Sequence, residues 1–311
     1  MSSPKKPRAL APGARVRLVS PASPGAAGVL GRGIAELSRL GYVPVKSGPT
    51  APTKDYFAAP MKDRRRELLD AFADNSSGAV ICTRGGYGST YLLDKKLKHT
   101  KIPRIFLGYS DITTLQIYLW QKRGWVTFYG PMVASGFSGG SGAPHGYDQA
   151  SLGAALTQTR GGWPLDLGGA TLCRGSARGI LLGGCMTLVE ATLGTPWELD
   201  TRGSILVLED RAMKPYQADR VLTHLRQAGK FRGVRGIILG EFPESAPTVA
   251  GSPTARDVAR RILGELEIPV VWGARIGHTP RPMLTIPLGV NARLNAHKSG
   301  RLEILEPAVT A

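Results

Sequence analysis

The 311-residue chain carries 40 Lys and Arg against 23 Asp and Glu, a formal net charge of +17, with 20% charged and 42% hydrophobic residues. That balance excludes a disordered chain, and its 40 glycines follow no collagen-like period. Apart from Lys5-Lys6-Pro7-Arg8 and residues 62–66 the positive charges are scattered without interleaved aromatics, so no dedicated nucleic-acid surface is expected.

From the N-terminus, residues 1–13 hold charge and proline but no apolar stretch of signal-peptide length. No segment approaches the roughly 18 apolar residues of a membrane span, and a cytoplasmic protein without a membrane partner is expected. Apolar runs at 16–19, 79–82 and 105–107 predict strands, and helical periodicity predicts helices over 29–40 and 64–72. This alternation predicts an α/β fold: an N-terminal domain, 1–135, with a doubly wound, mostly parallel sheet. Residues 136–175 read as a Gly-rich linker, with one helix over 148–157. A smaller C-terminal mixed α/β domain, 176–311, follows. Its strands are expected at 180–182, 204–208, 236–239 and 269–272, its helices at 218–227 and 255–266, and a closing β region after Pro282. Cys82, Cys173 and Cys185 are too few and too irregularly spaced for a disulfide framework or a zinc site.

Four segments could carry chemistry. In Ile105-Phe106-Leu107-Gly108-Tyr109-Ser110-Asp111-Ile112 a short buried strand runs into a helix that ends at Gly124. A serine at such an elbow presents its hydroxyl above the sheet, with the first N–H groups of the helix facing any oxyanion. The same serine would also serve as an ordinary helix N-cap, and the second glycine of G-x-S-x-G is missing. A literal match, Gly136-Phe137-Ser138-Gly139-Gly140, lies in the linker without the strand and helix that the motif requires. Thr83-Arg84-Gly85-Gly86-Tyr87-Gly88-Ser89 follows a strand end, where glycines let the backbone approach a ligand; it is neither G-x-G-x-x-G nor a P-loop. The run Ser204-Ile205-Leu206-Val207-Leu208 ends abruptly in Glu209-Asp210-Arg211, and an inward carboxylate there needs a partner. Of five histidines, His99, His224 and His297 occupy polar settings and His145 the linker, while His278 alone stands beside glycine beyond a buried run. A hydroxyl, an imidazole, a carboxylate and a glycine amide loop, each at a strand end, are the parts acyl transfer needs.

Gly108-Tyr109-Ser110-Asp111-Ile112-Thr113, preceded by Arg84-Gly85-Gly86-Tyr87-Gly88, resembles the signature of the LD-carboxypeptidase family, which includes murein tetrapeptide carboxypeptidases and microcin C self-immunity hydrolases. The resemblance continues through Gly183-Gly184, Leu208-Glu209-Asp210, Tyr216 with Asp219-Arg220, Gly277-His278 and Leu284-Thr285-Ile286-Pro287-Leu288-Gly289. It implies a site at the junction of two domains, with Ser110 as nucleophile and Glu209 and His278 completing a triad. It further implies an oxyanion hole from the backbone of Asp111 and the Gly85-Gly86 pair, a homodimer, and neither metal nor cofactor. Two departures fall outside the triad: Gly183-Gly184-Cys185-Met186 where the family usually has Gly-Gly-Asn-Leu, and Lys214 before Pro215-Tyr216 where an acidic residue is common.

The expected reaction is release of terminal D-alanine from a murein tetrapeptide, a small peptide whose carboxylates suit Arg84 and Arg211. The alternatives are an immunity-type hydrolase cleaving an aminoacyl-nucleotide, which calls for an aromatic face near the site, and a non-catalytic peptide- or nucleic-acid-binding protein.

Overall fold

The computed structural model describes residues 3–46, 55–93, 97 and 102–311; His99 lies outside them. In the first half, β1 (Arg15–Val19), α1 (Ala27–Arg39), β2 (Val43–Lys46), α2 (Met61–Ala73), β3 (Ser77–Cys82), β4 (Ile105–Gly108), α3 (Thr113–Arg123) and β5 (Thr127–Tyr129) alternate as expected. The chain continues through α4 (Gln149–Thr157), β6 (Trp163–Cys173), β7 (Ser176–Cys185), α5 (Met186–Glu190), β8 (Ser204–Glu209), α6 (Pro215–Gln227), β9 (Gly236–Gly240) and α7 (Ala255–Leu263). It closes with β10 (Val270–Ala274), β11 (Ile286–Leu288), β12 (Asn291–Ala296) and β13 (Ser299–Ile304).

Strands β3 and β4 are buried almost throughout, as strands covered on both faces must be. Parallel pairing places them centrally in a six-stranded sheet of order β11-β5-β4-β3-β1-β2. Its one antiparallel member, β11, comes from the far end of the chain and pairs with β5. The strand order reverses between β1 and β3, and ligands of open parallel sheets lie above the carboxyl ends at such a reversal.

The second sheet is a closed barrel, β10-β6-β13-β12-β7-β8-β9. Strands β7 to β10 run parallel, and α6 and α7 lie among these crossovers. Residues 136–175, a linker by composition, hold both α4, capped by Asp148, and β6, which pairs with β10 and β13 and so forms part of the barrel wall. Glycine content masks β6, whose burial nevertheless alternates: Trp163, Leu165 and Leu167 turn in while Pro164, Asp166 and Gly168 turn out.

The two faces of β8 show how the barrel aims a side chain. Leu206 and Leu208 pack with Val221, Leu222 and Ile262 of the covering helices, whereas Ile205 and Val207 join the core shared with the N-terminal sheet. By the period of two, Glu209 falls on the second face, at the carboxyl end of the strand.

Candidate active site

Ser110 follows β4 and opens a 3₁₀ turn, Ser110–Ile112, that leads into α3. Its φ is +64°, a left-handed conformation that a side chain adopts only under constraint, as at the strained strand-to-helix elbow of a nucleophile. The constraint comes from both ends of the turn. Ser110 N–H donates to Tyr129 Oη at 3.3 Å, and Asp111 is locked by Ser89, whose N–H donates to Asp111 Oδ2 at 2.8 Å and whose hydroxyl donates to the Asp111 carbonyl at 2.6 Å. Burial raises the Asp111 carboxyl, against the pull of the Ser89 bonds and of the buried Arg64 guanidinium.

The glycine loop after β3 lies against this elbow. A Cβ added to Gly85 would stand 2.8 Å from Ser110 Cβ and 3.0 Å from its Oγ, so only glycine lets the loop backbone reach the hydroxyl. Gly86 is turned the other way, toward Ser23.

The barrel supplies the remaining groups. Glu209 is fully buried, and its Oε2 accepts both the backbone N–H of His278 at 2.8 Å and the ring Nδ1 at 2.9 Å. Oε1 accepts the hydroxyl of Tyr129 at 2.5 Å. With Nδ1 held by the carboxylate, Nε2 is left for exchange with a substrate or nucleophile. The imidazole stands edge-on to Tyr109, with centroids 5.1 Å apart, and the Tyr109 hydroxyl bonds to Ser135.

Electrostatics favour an ion pair. Burial alone would push the Glu209 carboxyl up, but the His278 charge, the two His278 bonds and the Tyr129 hydroxyl hold it below the ordinary carboxylate range. For His278, burial works against the charged form, yet the Glu209 charge and bond outweigh it and the net shift is upward.

The structure therefore brings Ser110, Gly85, Glu209 and His278 to one junction. Arg84 is exposed and donates to the Pro24 carbonyl at 2.8 Å, and Arg211 is exposed and paired with Glu244 at 2.5 Å. Both lie close enough for their charge to act on Tyr109. Cys185 pairs in register with Glu209, and its N–H donates to Thr113 Oγ1 at 3.0 Å across the domain boundary. Lys214, the second departure, is the N-cap residue of α6. Among the described residues no group of three or more His, Cys, Asp and Glu could hold a metal ion, and no helix is long and apolar enough to cross a membrane.

Sequence reasoning missed Tyr129. The available signal was a tyrosine ending the buried run Val126-Thr127-Phe128, whose hydroxyl must find a partner.

Comparison with known proteins gives two family matches: the LD-carboxypeptidase N-terminal domain over residues 16–130 and the LD-carboxypeptidase C-terminal domain over 178–294. The chain is 35% identical to a probable murein peptide carboxypeptidase of Bacillus subtilis, covering 96% of this chain and 94% of that one. It is 28% identical to the microcin C7 self-immunity protein of Escherichia coli, over 85% and 84% of the two chains. The crystal structure of muramoyltetrapeptide carboxypeptidase from Oxalobacter formigenes superposes with a TM-score of 0.81 at 27% identity, covering 94% of this chain and 99% of that one.

Proposed function

The chain belongs to the LD-carboxypeptidase family, and on that premise we propose that it is a serine carboxypeptidase that releases terminal D-alanine from a murein tetrapeptide by cleaving an L,D amide bond. The observation that carries the reading is the hydrogen-bonded unit spanning both domains. Glu209 holds His278 through Oε2 and, through Tyr129, holds the backbone of Ser110.

In this reading Ser110 Oγ attacks the amide carbonyl while His278 Nε2 takes its proton. Glu209 fixes the tautomer and stabilises the imidazolium that forms. The oxyanion is held by the N–H of Asp111 and by the Gly85-Gly86 loop, each such donor being worth about 10²- to 10³-fold in rate. His278 returns the proton to the leaving amine, D-alanine departs, and water attacks the acyl-enzyme with His278 again as base. Arg84 and Arg211 receive carboxylates of the peptide. The family likeness extends the proposal to a cytoplasmic homodimer working without metal or cofactor.

One observation favours a second reading, hydrolysis of an aminoacyl-nucleotide. Tyr87, two residues beyond Gly85, is 45% exposed and belongs to an aromatic group with Tyr56, Phe57 and Tyr91, a face on which a base could stack. The test is to incubate the protein with a murein tetrapeptide and, separately, with an aminoacyl-sulfamoyl nucleoside, and to follow both by mass spectrometry. D-Alanine release with the nucleoside intact supports the carboxypeptidase. The opposite pattern replaces it with the second reading.

A further inference from the structure

Arg64 stands near the start of α2 and is 1% exposed, yet none of the steps above uses it. Burying a guanidinium is costly unless its donors are met. Here backbone carbonyls from three separate segments meet them. Nε donates to Ala59 at 2.9 Å, and Nη1 donates to Pro21 and, at 2.8 Å, to Gly88. The guanidinium also lies over the Phe57 ring, 4.7 Å from its centroid. An apolar side chain would fill this space without the cost of desolvating a charge, so packing alone does not account for an arginine.

Two of the three segments hold the site. Pro21 stands two residues before Ser23, whose N–H donates to the Gly85 carbonyl at 3.1 Å and whose Oγ accepts the N–H of Tyr87 at 3.1 Å. Gly88 ends the same glycine loop, and its N–H, with that of Ser89, holds the Asp111 carboxylate. A Cβ on Gly88 would come within 2.6 Å of the Phe57 ring and 3.0 Å of Arg64 Nη1, so the loop rests directly on the guanidinium. One buried cation therefore sets the loop at both ends, at Gly88 by its own bond and at Gly85 and Tyr87 through residues 21–23. Its charge also acts on the buried Asp111 carboxylate and favours the ionised form that accepts these N–H groups.

We propose that Arg64 is a positioning residue for the oxyanion hole: its guanidinium holds loop 85–88 and, through Gly88 and Ser89, the Asp111 peptide, where they receive the developing oxyanion. This role in catalysis rests on the hydrolase reading; the clamp on the loop does not. A preorganised donor acts on the transition state and adds little to ground-state binding, so loss of Arg64 should appear in kcat and not in KM.

The test compares wild type with Arg64→Met and Arg64→Lys. Lysine keeps the charge but lacks the planar fork that serves several carbonyls at once. For D-alanine release from a murein tetrapeptide, kcat should fall about 10²-fold in Arg64→Met and at least about tenfold in Arg64→Lys, with KM little changed. A peptide boronic acid, which forms a tetrahedral adduct on a serine, should lose affinity by the same factor as kcat/KM. Amide hydrogen exchange reads the clamp without reference to activity. Residues 85–89 and 110–112 should exchange at least about tenfold faster in Arg64→Met while β3 and β4 keep their protection. Wild-type kcat in both variants, or a loss confined to KM, overturns the proposal. Faster exchange through the whole sheet with a matching fall in melting temperature also overturns it, because that marks a role in stability alone. Should Arg64→Met not fold, Arg64→Lys carries the same outcomes. Faster loop exchange in a protein that cleaves no peptide, wild type included, supports the clamp and removes the hydrolase reading.

Discussion

Tyr129 and Glu209 meet across the domain boundary, the phenol at the end of β5 donating to the carboxylate at the end of β8 at 2.5 Å. The same phenol accepts the N–H of Ser110, so one hydroxyl ties the Ser110 elbow to the carboxylate that holds the His278 ring. Tyr129→Phe leaves Glu209 Oε1 short of a donor in a fully buried site. An unsatisfied buried acceptor costs about 1–3 kcal/mol, and the melting temperature should fall accordingly. Loosening Glu209 would misplace the imidazole that the proposed mechanism uses, and since a shift of about 1 Å can cost about 10²-fold, kcat should drop by up to about that factor with KM little changed. Wild-type kcat in Tyr129→Phe would contradict this role.

The pH profile follows from the His278–Glu209 pair. In the proposed mechanism His278 works as neutral imidazole, and its pKa is shifted above the ordinary value of about 6.5 by the Glu209 carboxylate. The acid limb of kcat/KM should therefore have its midpoint above that value, with activity falling as pH drops through it. Glu209→Gln removes the main charge that raises the His278 pKa, leaving burial and the Arg211 charge to lower it against the Asp210 carboxylate. The limb should move to lower pH, with kcat reduced by about 10²- to 10⁴-fold. The pair's contribution to stability is lost as pH falls through the lowered Glu209 value, and again as pH rises through the raised His278 value.

Gly85 tests the loop that faces the hydroxyl. In Gly85→Ala the new methyl would meet Ser110 Cβ at 2.8 Å, and both Ser110 and the loop would have to shift. Rate should fall by about 10²-fold or more, the cost of a displaced nucleophile or oxyanion donor. Stopped-flow kinetics beside an unchanged far-UV circular dichroism spectrum would locate the loss in the site and not in the fold.

Gly184 tests how tightly the domains are docked. It sits on β7 at φ +143°, and an added Cβ would lie 2.6 Å from Thr113 Cγ2 and 3.1 Å from the ring of Tyr129. Gly184→Ala should cost about 1–3 kcal/mol through overpacking, with further strain from the backbone, and should lower activity by parting Ser110 from His278. Thermal unfolding and kcat/KM measured on one preparation would check both effects. A variant with unchanged stability would show that the junction is looser than described.

The sequence makes some parts of this arrangement readable and hides others. Residues 105–107 and 205–208 are continuous apolar runs, so their strands, and the polar residues beyond them, stand out without any tertiary information. The left-handed Ser110 elbow leaves a pattern too, as a serine between a buried strand and a helix. Closure of the barrel is hidden because β6 carries its period of two on a glycine-rich background, and the pairing of β11 with β5 joins residues more than a hundred positions apart. The partnership of Tyr129 with Glu209 is hidden for the same reason: it depends on two separate domains meeting.

The most direct test of the account is D-alanine release from a murein tetrapeptide, followed by mass spectrometry with wild type and Ser110→Ala side by side. Release by wild type is expected, with a loss of about 10³-fold or more in the variant, as when the nucleophile of a triad is removed. Comparable release by both proteins, or none by folded wild type, would contradict it.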